Sequence, residues 1–221
     1  YQDPQVVLQQ LEERLRANEL VHLHLASRVA GSHGFAGNFT SLIEDADGQR
    51  VEVRHGATIL ATGAQEYRGP EYGFGSDERI ITQQQFEARL ADPDSTAGEA
   101  KSIVMIQCVG PAERFCSRIC CTTALKNALA LKQRRPEAQV VILYKDIRTY
   151  GFKEKLYTQA RDRGVIFLRY DDQNKPEVDT TAESLIIEAW DPILRRQLTL
   201  QPDLLVLSMP VVPRADVAEM A

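Results

Sequence analysis

The sequence predicts an α/β protein built around a central parallel sheet, and its apolar segments carry that prediction. KSIVMIQ and VVILYKD, at residues 101–107 and 140–146, are short apolar runs typical of buried strands. A helical stretch at residues 122–135 lies between them, so the three segments form a βαβ unit. A further apolar run, DLLVLSMPVVP at residues 203–213, is expected to close the same sheet.

The amino-terminal part of the chain combines one predicted helix with several strands. Residues 5–18 place apolar side chains at helical spacing, which predicts an amphipathic helix covering a sheet. Residues 19–45 alternate apolar and polar side chains and break at glycines, a pattern typical of two strands joined by a loose turn. After the turn at Asp47 and Gly48 we expect a polar strand, followed by a buried strand, ATILATG, at residues 57–63.

The middle of the chain is expected to connect two domains. Residues 69–98 are rich in Gly, Asp and Pro around one short helix, TQQQFEARLAD. We therefore place a boundary near residue 98 and expect domains at residues 1–98 and 99–221. The second domain continues with a helix, KEKLYTQARDRG, a strand, VIFLRY, and two alternating runs, SLIIEAW and RQLTLQ.

The composition excludes several classes of protein. Hydrophobic residues make up 43% of the chain and charged residues 26%, as in soluble globular proteins. The net charge is −5 and the basic residues are spread along the chain, which argues against nucleic acid as a partner. The apolar runs are too short to span a membrane, and no leader pattern opens the chain, so we expect a cytoplasmic protein. Because it begins Tyr-Gln-Asp, we expect it to be a piece of a longer protein.

The chain's four cysteines fall within fourteen consecutive residues and predict a metal centre. They are Cys108, Cys116, Cys120 and Cys121, in the pattern C-x7-C-x3-C-C. An iron-sulfur cluster accepts four thiolates at varied spacing. A structural zinc usually takes its sulfurs from C-x2-C pairs, which this segment lacks, and adjacent cysteines seldom form a disulfide. We expect a cluster, with zinc and inert or redox-labile thiols as the alternatives.

Two segments resemble a known family. ATILATGAQEY looks like the strand that many flavoproteins with two dinucleotide domains place beside FAD. More specifically, the sequence IQCVGPAERFCSRICCTTALKNALALKQRRPEAQVVILYKDIRTYGF resembles the A subunit of heterodisulfide reductase, an iron-sulfur flavoprotein. The likeness extends from RIITQQQFEARL to YDDQNKPEV and so covers most of the chain at consistent order and spacing.

The resemblance implies a thioredoxin-reductase-like fold in which a Rossmann-type domain interrupts an FAD domain. Residues 1–98 would be part of the FAD domain, and residues from 99 onward the Rossmann-type domain with its central parallel sheet. Ala61, Thr62 and Gly63 would border FAD. The family implies an oxidoreductase subunit that relays electrons through FAD and a 4Fe-4S cluster to other subunits of a complex. We expect the fragment by itself to be inactive, because the glycine turn that cradles FAD would lie before Tyr1. A quinone-interacting relative from sulfate metabolism and a non-redox module with structural zinc are the alternatives.

The cysteine segment occupies the position of a nucleotide-binding loop. Dinucleotide domains use several glycines between the first strand and its helix, whereas QCVGPAERFCSRICC contains only Gly110, which makes NAD binding doubtful. We expect Cys108 to end the strand and the other three cysteines to surround the first helical turns. Cys116 and Cys120 would share a helix face. The positive amino end of that helix would favour an anionic cluster.

Several further residues are weaker candidates. Arg114, Arg118 and Lys126 flank the cysteines, and each is either a charge on an exposed helix or a cation that tunes a cofactor. For Lys126 we predict a tuning contact with the flavin of the complete protein.

Three other features favour ordinary structural roles. His22 and His24 lie two apart on an expected strand, without a third metal ligand nearby. Asp146 follows the second strand, where a ribose-binding acid would lie, but a surface ion pair is the simpler interpretation. The turn at residues 150–152 either caps the sheet or contacts the FAD domain.

Overall fold

The computed structural model describes residues 4–92, 94–215 and 217. The chain divides into two compact units, at residues 1–62 and 63–221. The expected boundary near residue 98 therefore falls inside the second unit. The reason is strand pairing, because a strand at residues 80–82 joins the sheet formed by the later strands.

The first unit is one helix and an antiparallel meander of three strands. Its elements are α1 (Pro4–Arg16), β1 (Arg28–Phe35), β2 (Asn38–Glu44) and β3 (Arg50–His55). Their sheet order is β1-β2-β3. The helix was predicted correctly, but none of its residues is buried and its apolar side chains remain about half exposed.

Two predictions in this unit were wrong. Residues 57–64, which include the expected strand ATILATG, have no regular secondary structure, and Ile59 is 91% exposed. An apolar run becomes a strand only when a neighbouring strand pairs with its backbone, and none in the described part of the chain pairs here. His22 and His24 likewise lie ahead of β1, outside any strand.

The second unit is organised around a five-stranded parallel sheet of order β5-β12-β6-β7-β8. Its strands, in that order, are Ile80–Thr82, Leu204–Leu207, Ser102–Ile106, Gln139–Tyr144 and Ile166–Arg169. The helices are α2 (Gln83–Ala91), α3 (Cys120–Arg134) and α4 (Glu154–Asp162). The unit is completed by the two-stranded ribbon of β4 (Gln65–Glu66) and β13 (Val211–Val212) and by an antiparallel sheet of β9 (Glu177–Asp179), β10 (Ile186–Asp191) and β11 (Arg196–Leu200).

The parallel sheet is buried on both faces, as its continuous apolar strands require. On one face, Ile103 and Met105 pack with Leu125 and Leu129 of α3 in one core cluster. On the other face, Val104 packs with the antiparallel sheet in a second cluster. The α/β fold predicted from the sequence, with its central parallel sheet, is therefore confirmed.

The strand order is that of a Rossmann-type domain. From β6 the chain proceeds outward through β7 to β8, and β12 then pairs on the opposite side of β6. The direction of strand addition thus reverses between β6 and β12. In open α/β sheets, ligands bind outside the carboxyl ends of the strands at such a switch point.

The ends of α2 and α3 are held by specific polar contacts. Thr82 and Gln85 form a reciprocal capping box at the start of α2. Lys132 is 9% exposed, and its ammonium group donates to the carbonyls of Pro136 and Ala138, at 2.7 and 2.8 Å. It therefore satisfies two carbonyls just beyond the end of α3. Among the described residues, no helix is long and apolar enough to cross a bilayer.

Candidate cysteine site and adjoining cavity

Cys108 is presented by a tight turn at the carboxyl end of β6. Cys108 and Gly110 both have a φ of 59°, in the left-handed region that favours glycine. Gly110 also lies against Tyr67 and Glu71, since a Cβ on Gly110 would be 2.7 Å from Tyr67 Cε1 and 2.8 Å from Glu71 Oε1. The turn therefore needs glycine at this position for conformation and for space.

Side-chain contacts hold this turn at both ends. The Tyr170 hydroxyl donates to the carbonyl of Gln107 at 2.5 Å, immediately before Cys108. Lys175 contacts Glu113 at 2.6 Å on the other side of the turn. Tyr170 is 5% exposed, and burial raises the pKa of its hydroxyl, so it remains a hydrogen-bond donor.

Cys116 lies before helix α3, not on it. The helix begins at Cys120, and Arg118 between them has a φ of 61°, which is incompatible with a continuous helix. The expected helix face shared by Cys116 and Cys120 is therefore wrong. No side chain caps the amino end of α3, so its first N–H groups are free of such partners.

All four cysteines nevertheless line one cavity of about 170 Å³. Three cations also line it, namely Arg114, Lys145 and Arg148. The carboxylates in its wall are paired, since Asp146 contacts Arg148 at 3.0 Å and Glu113 contacts Lys175. The four thiols thus surround one cavity between the loop and the start of α3.

The thiols make four sulfur hydrogen bonds with the backbone. The N–H of Arg118 donates to Cys116 Sγ at 3.3 Å, and the N–H of Arg148 donates to Cys121 Sγ at 3.5 Å. The thiols of Cys120 and Cys121 donate to backbone carbonyls, at 3.5 and 3.6 Å. Two sulfurs are therefore acceptors of the kind of bond that stabilises a thiolate.

Burial disfavours the thiolate form of three of the cysteines, Cys108, Cys120 and Cys121, by raising the pKa of each. Burial, reinforced by the neighbouring sulfurs, raises the pKa of Cys120 to about 12. Burial also raises the pKa of Cys108, and the neighbouring sulfurs of Cys121 and Cys116 raise it further. Burial raises the pKa of Cys121 as well, although the hydrogen bond from the N–H of Arg148 lowers it in part. Metal binding at this cavity would release protons, because the ligand form of cysteine is the thiolate.

All four cysteines are free of disulfides. Among the described residues, no group of three or more His, Cys, Asp or Glu side chains is arranged to hold one metal ion.

The other predicted cofactor residues lie outside the cysteine cavity. Ala61 and Thr62 end the first unit and Gly63 begins the second, all three exposed and without regular structure. Lys126 is on an exposed face of α3 and forms an ion pair with Glu87 at 2.5 Å.

The weaker candidates have ordinary surroundings. Asp146 forms a surface ion pair, as expected, but its partner is Arg148, while the adjacent Lys145 contacts Asp172. Phe152 is 89% exposed.

A second cavity, of about 260 Å³, adjoins the cysteine site and was not anticipated from the sequence. Cys120 lines both cavities. The walls of the second cavity are Ala64, Gln65, Glu66, Gln83, Gln84, Glu87, Ile119, Cys120, Thr123, Ser208, Met209 and Val211. Part of the signal was present in the sequence, because two apolar strands, IIT and LLVL, are each followed directly by a polar residue that lines this cavity, Gln83 and Ser208.

The chain is similar to the A subunits of heterodisulfide reductases from methanogens, although no family model matches it. It is 32% identical over 209 residues to the A subunit of the ferredoxin:CoB-CoM heterodisulfide reductase of Methanosarcina acetivorans, covering 74% of this chain and 26% of that protein. It is 34% identical over 192 residues to the A subunit of the H(2)/formate:CoB-CoM heterodisulfide,ferredoxin reductase of Methanococcus maripaludis, covering 78% and 29% respectively. The chain thus spans less than a third of the length of these relatives.

Two solved enzyme structures have a similar fold. Thioredoxin reductase of T. acidophilum matches with a TM-score of 0.50 and 12% identity, over 95% of this chain and 60% of that one. The reduced ornithine hydroxylase PvdA of Pseudomonas aeruginosa matches with a TM-score of 0.53 and 11% identity, over 96% and 60%. These likenesses concern the fold alone and confirm its Rossmann-type character. The identity to these A subunits over about three quarters of the chain leads to one conclusion: the chain belongs to the family of heterodisulfide reductase A subunits.

Proposed function

We propose that this chain is the cofactor-carrying part of an electron-transfer oxidoreductase subunit. Cys108, Cys116, Cys120 and Cys121 bind a 4Fe-4S cluster, and the complete protein holds FAD beside residues 61–63. Such a cluster takes up and passes on single electrons. The observation that carries the proposal is the convergence of all four thiols on one cavity at the switch point of a Rossmann-type sheet.

The donor set of the cavity fits a multi-iron cluster. Four cysteine sulfurs are the usual ligands of a 4Fe-4S core, and a cavity of about 170 Å³ offers room for several atoms between them. Cys108 approaches from the end of β6 and Cys120 from the start of α3, so the ligands come from two directions. The glycine-restricted turn at Gly110 and the hydroxyl of Tyr170 fix the position of Cys108.

The electrostatics of the site suit an anion. Arg114, Lys145 and Arg148 line the cavity, and the free amino end of α3 points its positive end toward it. Backbone N–H groups already donate to Cys116 and Cys121. Hydrogen bonds to the sulfurs of a cluster raise its reduction potential, so these donors also set how readily the site accepts an electron.

FAD is the second cofactor of the proposal. Residues 61–63 resemble the segment that flavoproteins place beside FAD, and the fold is similar to that of enzymes whose solved structures contain FAD. Lys126 is proposed to approach the flavin in the complete protein and to stabilise its reduced, anionic form. Its ion-pair partner Glu87 lines the cavity next to Cys120, which puts the pair near the route between the two cofactors.

The activity and the partners follow the family. We propose that electrons pass through the flavin and the cluster to other subunits of a heterodisulfide-reductase-like complex. The names of the relatives favour this assignment over a quinone-interacting protein of sulfate metabolism. They equally favour a redox role over a structural zinc module.

Iron loading of the full-length protein tests the proposal. Four cysteine-to-serine variants, one at each position, are reconstituted anaerobically with iron and sulfide beside the wild type. The measured quantity is the loss relative to wild type, so that iron bound elsewhere in the full-length protein does not affect the comparison. Each variant should lose about four irons per chain, the content of one 4Fe-4S cluster, together with the matching visible absorption.

Ser117→Ala is the matched control, since Ser117 lines the same cavity without supplying a thiol. This variant should keep the wild-type iron content. Wild-type iron in all four cysteine variants, or one zinc per chain that disappears with the same substitutions, would refute the cluster.

A further inference from the structure

Three polar residues form a buried row across the carboxyl edge of the parallel sheet. The strand register aligns Thr82, Leu207 and Ile106 across β5, β12 and β6. The residues that follow them are Gln83, Ser208 and Gln107, which are 4%, 1% and 0% exposed. We call these three residues the polar row.

The polar row faces helix α3. Met105 and Val206 pack in the core cluster that contains the residues of α3, and side chains alternate along a strand. Gln107 and Ser208 therefore lie on that same face. Gln83 is linked to α3 directly, because Asn127 Nδ2 donates to its side-chain Oε1 at 2.8 Å.

Most of the row's hydrogen-bonding capacity is unused. Gln83 Nε2, Ser208 Oγ and both polar atoms of the Gln107 side chain have no partner within the described structure. Buried side-chain polar atoms in folded proteins are nearly always hydrogen-bonded to protein or to ordered water. Four unpaired atoms in one row of neighbouring strands therefore indicate a bound ligand.

The chemistry of the row identifies the kind of ligand. It offers amide N–H groups, an amide oxygen and a hydroxyl, and it carries no charge. A charged ligand would remain without a counter-ion among these buried groups, whereas water both donates and accepts. Gln83 and Ser208 line the 260 Å³ cavity next to Cys120, which is large enough for several molecules of about 30 Å³ each. Gln107 follows β6, the strand that pairs with β12 on the side away from β5.

We propose that the polar row binds ordered water and that this water delivers protons to the flavin of the complete protein. This inference rests on the proposed function, in which the flavin lies beside residues 61–63 and its electrons come from the donor of the complex. Ala64, the next residue, lines the same cavity as Gln83 and Ser208. Each proton passes from a water molecule of the row to the reduced flavin. A proton from solvent at the cavity mouth replaces it, so the row itself is unchanged after each turnover.

The experiment uses the full-length protein with its cofactors and the variants Gln107→Leu and Ser208→Ala. Stopped-flow reduction of the flavin is measured in H2O and D2O, with melting temperature and iron and flavin content measured alongside. Both variants should slow flavin reduction at least tenfold and enlarge the solvent isotope effect at wild-type cofactor content. Gln107→Leu should melt no lower than wild type, because it removes buried unpaired atoms. Gln133→Leu, the same substitution on an exposed part of α3, should behave as wild type.

Two outcomes separate this inference from the proposed function. If the wild type binds FAD and iron but both variants reduce at the wild-type rate and isotope effect, the proton route is refuted and the proposed function stands. A crystal structure of the wild type provides a second test, which does not depend on turnover. Water within hydrogen-bond distance of Ser208 Oγ and Gln107 supports the site, and a dry row refutes it even where the cofactors are bound.

Discussion

Replacing Gly110 by alanine should destabilise the second unit through the turn that presents Cys108. The backbone there has a φ of 59°, which costs an L-residue about 1–2 kcal/mol. In addition, the new methyl group would lie 2.7 Å from Tyr67 Cε1, and overpacking of this kind costs about 1–3 kcal/mol. The two contributions predict a total loss of about 2–5 kcal/mol in the free energy of unfolding.

Gly151 supplies a matched control for this prediction. It has the same φ of 59°, but nothing lies within 4 Å of its added Cβ. Gly151→Ala therefore isolates the conformational cost, and the difference between the two variants measures the contact with Tyr67. At about 2–4 °C per kcal/mol for a domain of this size, Gly110→Ala should melt about 2–12 °C below Gly151→Ala.

Thermal denaturation and iron analysis of the two variants provide the assay. Because Gly110 follows Cys108 by two residues, its displacement should also lower the iron content per chain, while Gly151→Ala keeps it. Equal melting temperatures for the two variants would show that Tyr67 and Glu71 do not constrain the turn. The explanation of Gly110 given above would then be wrong.

Two further predictions concern buried and exposed polar contacts. Lys132→Met should lower the free energy of unfolding by about 1–3 kcal/mol in denaturant titrations, because it leaves the buried carbonyl of Ala138 and the partly buried carbonyl of Pro136 without this donor. Lys126→Met, on the same helix, should change the free energy of unfolding by no more than about 1 kcal/mol, since the ion pair of Lys126 is exposed. The same variant should lower the reduction potential of the flavin. Equal losses of stability in the Lys132 and Lys126 variants would contradict the stability prediction, and an unchanged potential would contradict the flavin contact. Tyr170→Phe should lower the free energy of unfolding by about 1–2 kcal/mol, because the carbonyl of Gln107 loses its hydrogen-bond donor. It should also broaden the electron paramagnetic resonance signal of the reduced cluster. An unaltered spectrum would show that Tyr170 does not position Cys108.

Most elements of the second unit were predictable from the sequence. Runs such as IVMI at residues 103–106 are buried on both faces, so their apolar character is continuous and their neighbours lie in the same chain. The four-cysteine cavity was predictable for a related reason, since closely spaced residues need only a local turn to converge. Cys116 does not share a helix face with Cys120, as was expected, because Arg118 between them adopts a positive φ that no sequence pattern announces.

The failures occur where structure depends on distant partners. ATILATG has the composition of a buried strand, but it has no pairing strand in the described part of the chain and is exposed. The domain boundary near residue 98 stays a prediction; that position lies inside the second compact unit because residues 80–82 pair with residues 205–207, a contact that local composition does not encode. The polar row was missed for the same reason, since three residues far apart in sequence become neighbours only through strand register.

The position of β12 affects how the protein can be synthesised. This strand is the last of the parallel sheet to leave the ribosome, yet it lies between β5 and β6. Until it emerges, β5 has no neighbouring strand, and β6 presents an open edge flanked by apolar side chains. Exposed edges of this kind invite pairing with other chains. A nascent or truncated polypeptide that ends before Leu204 is therefore a substrate for chaperones or proteases, and completion of the fold is postponed to the end of this segment's translation.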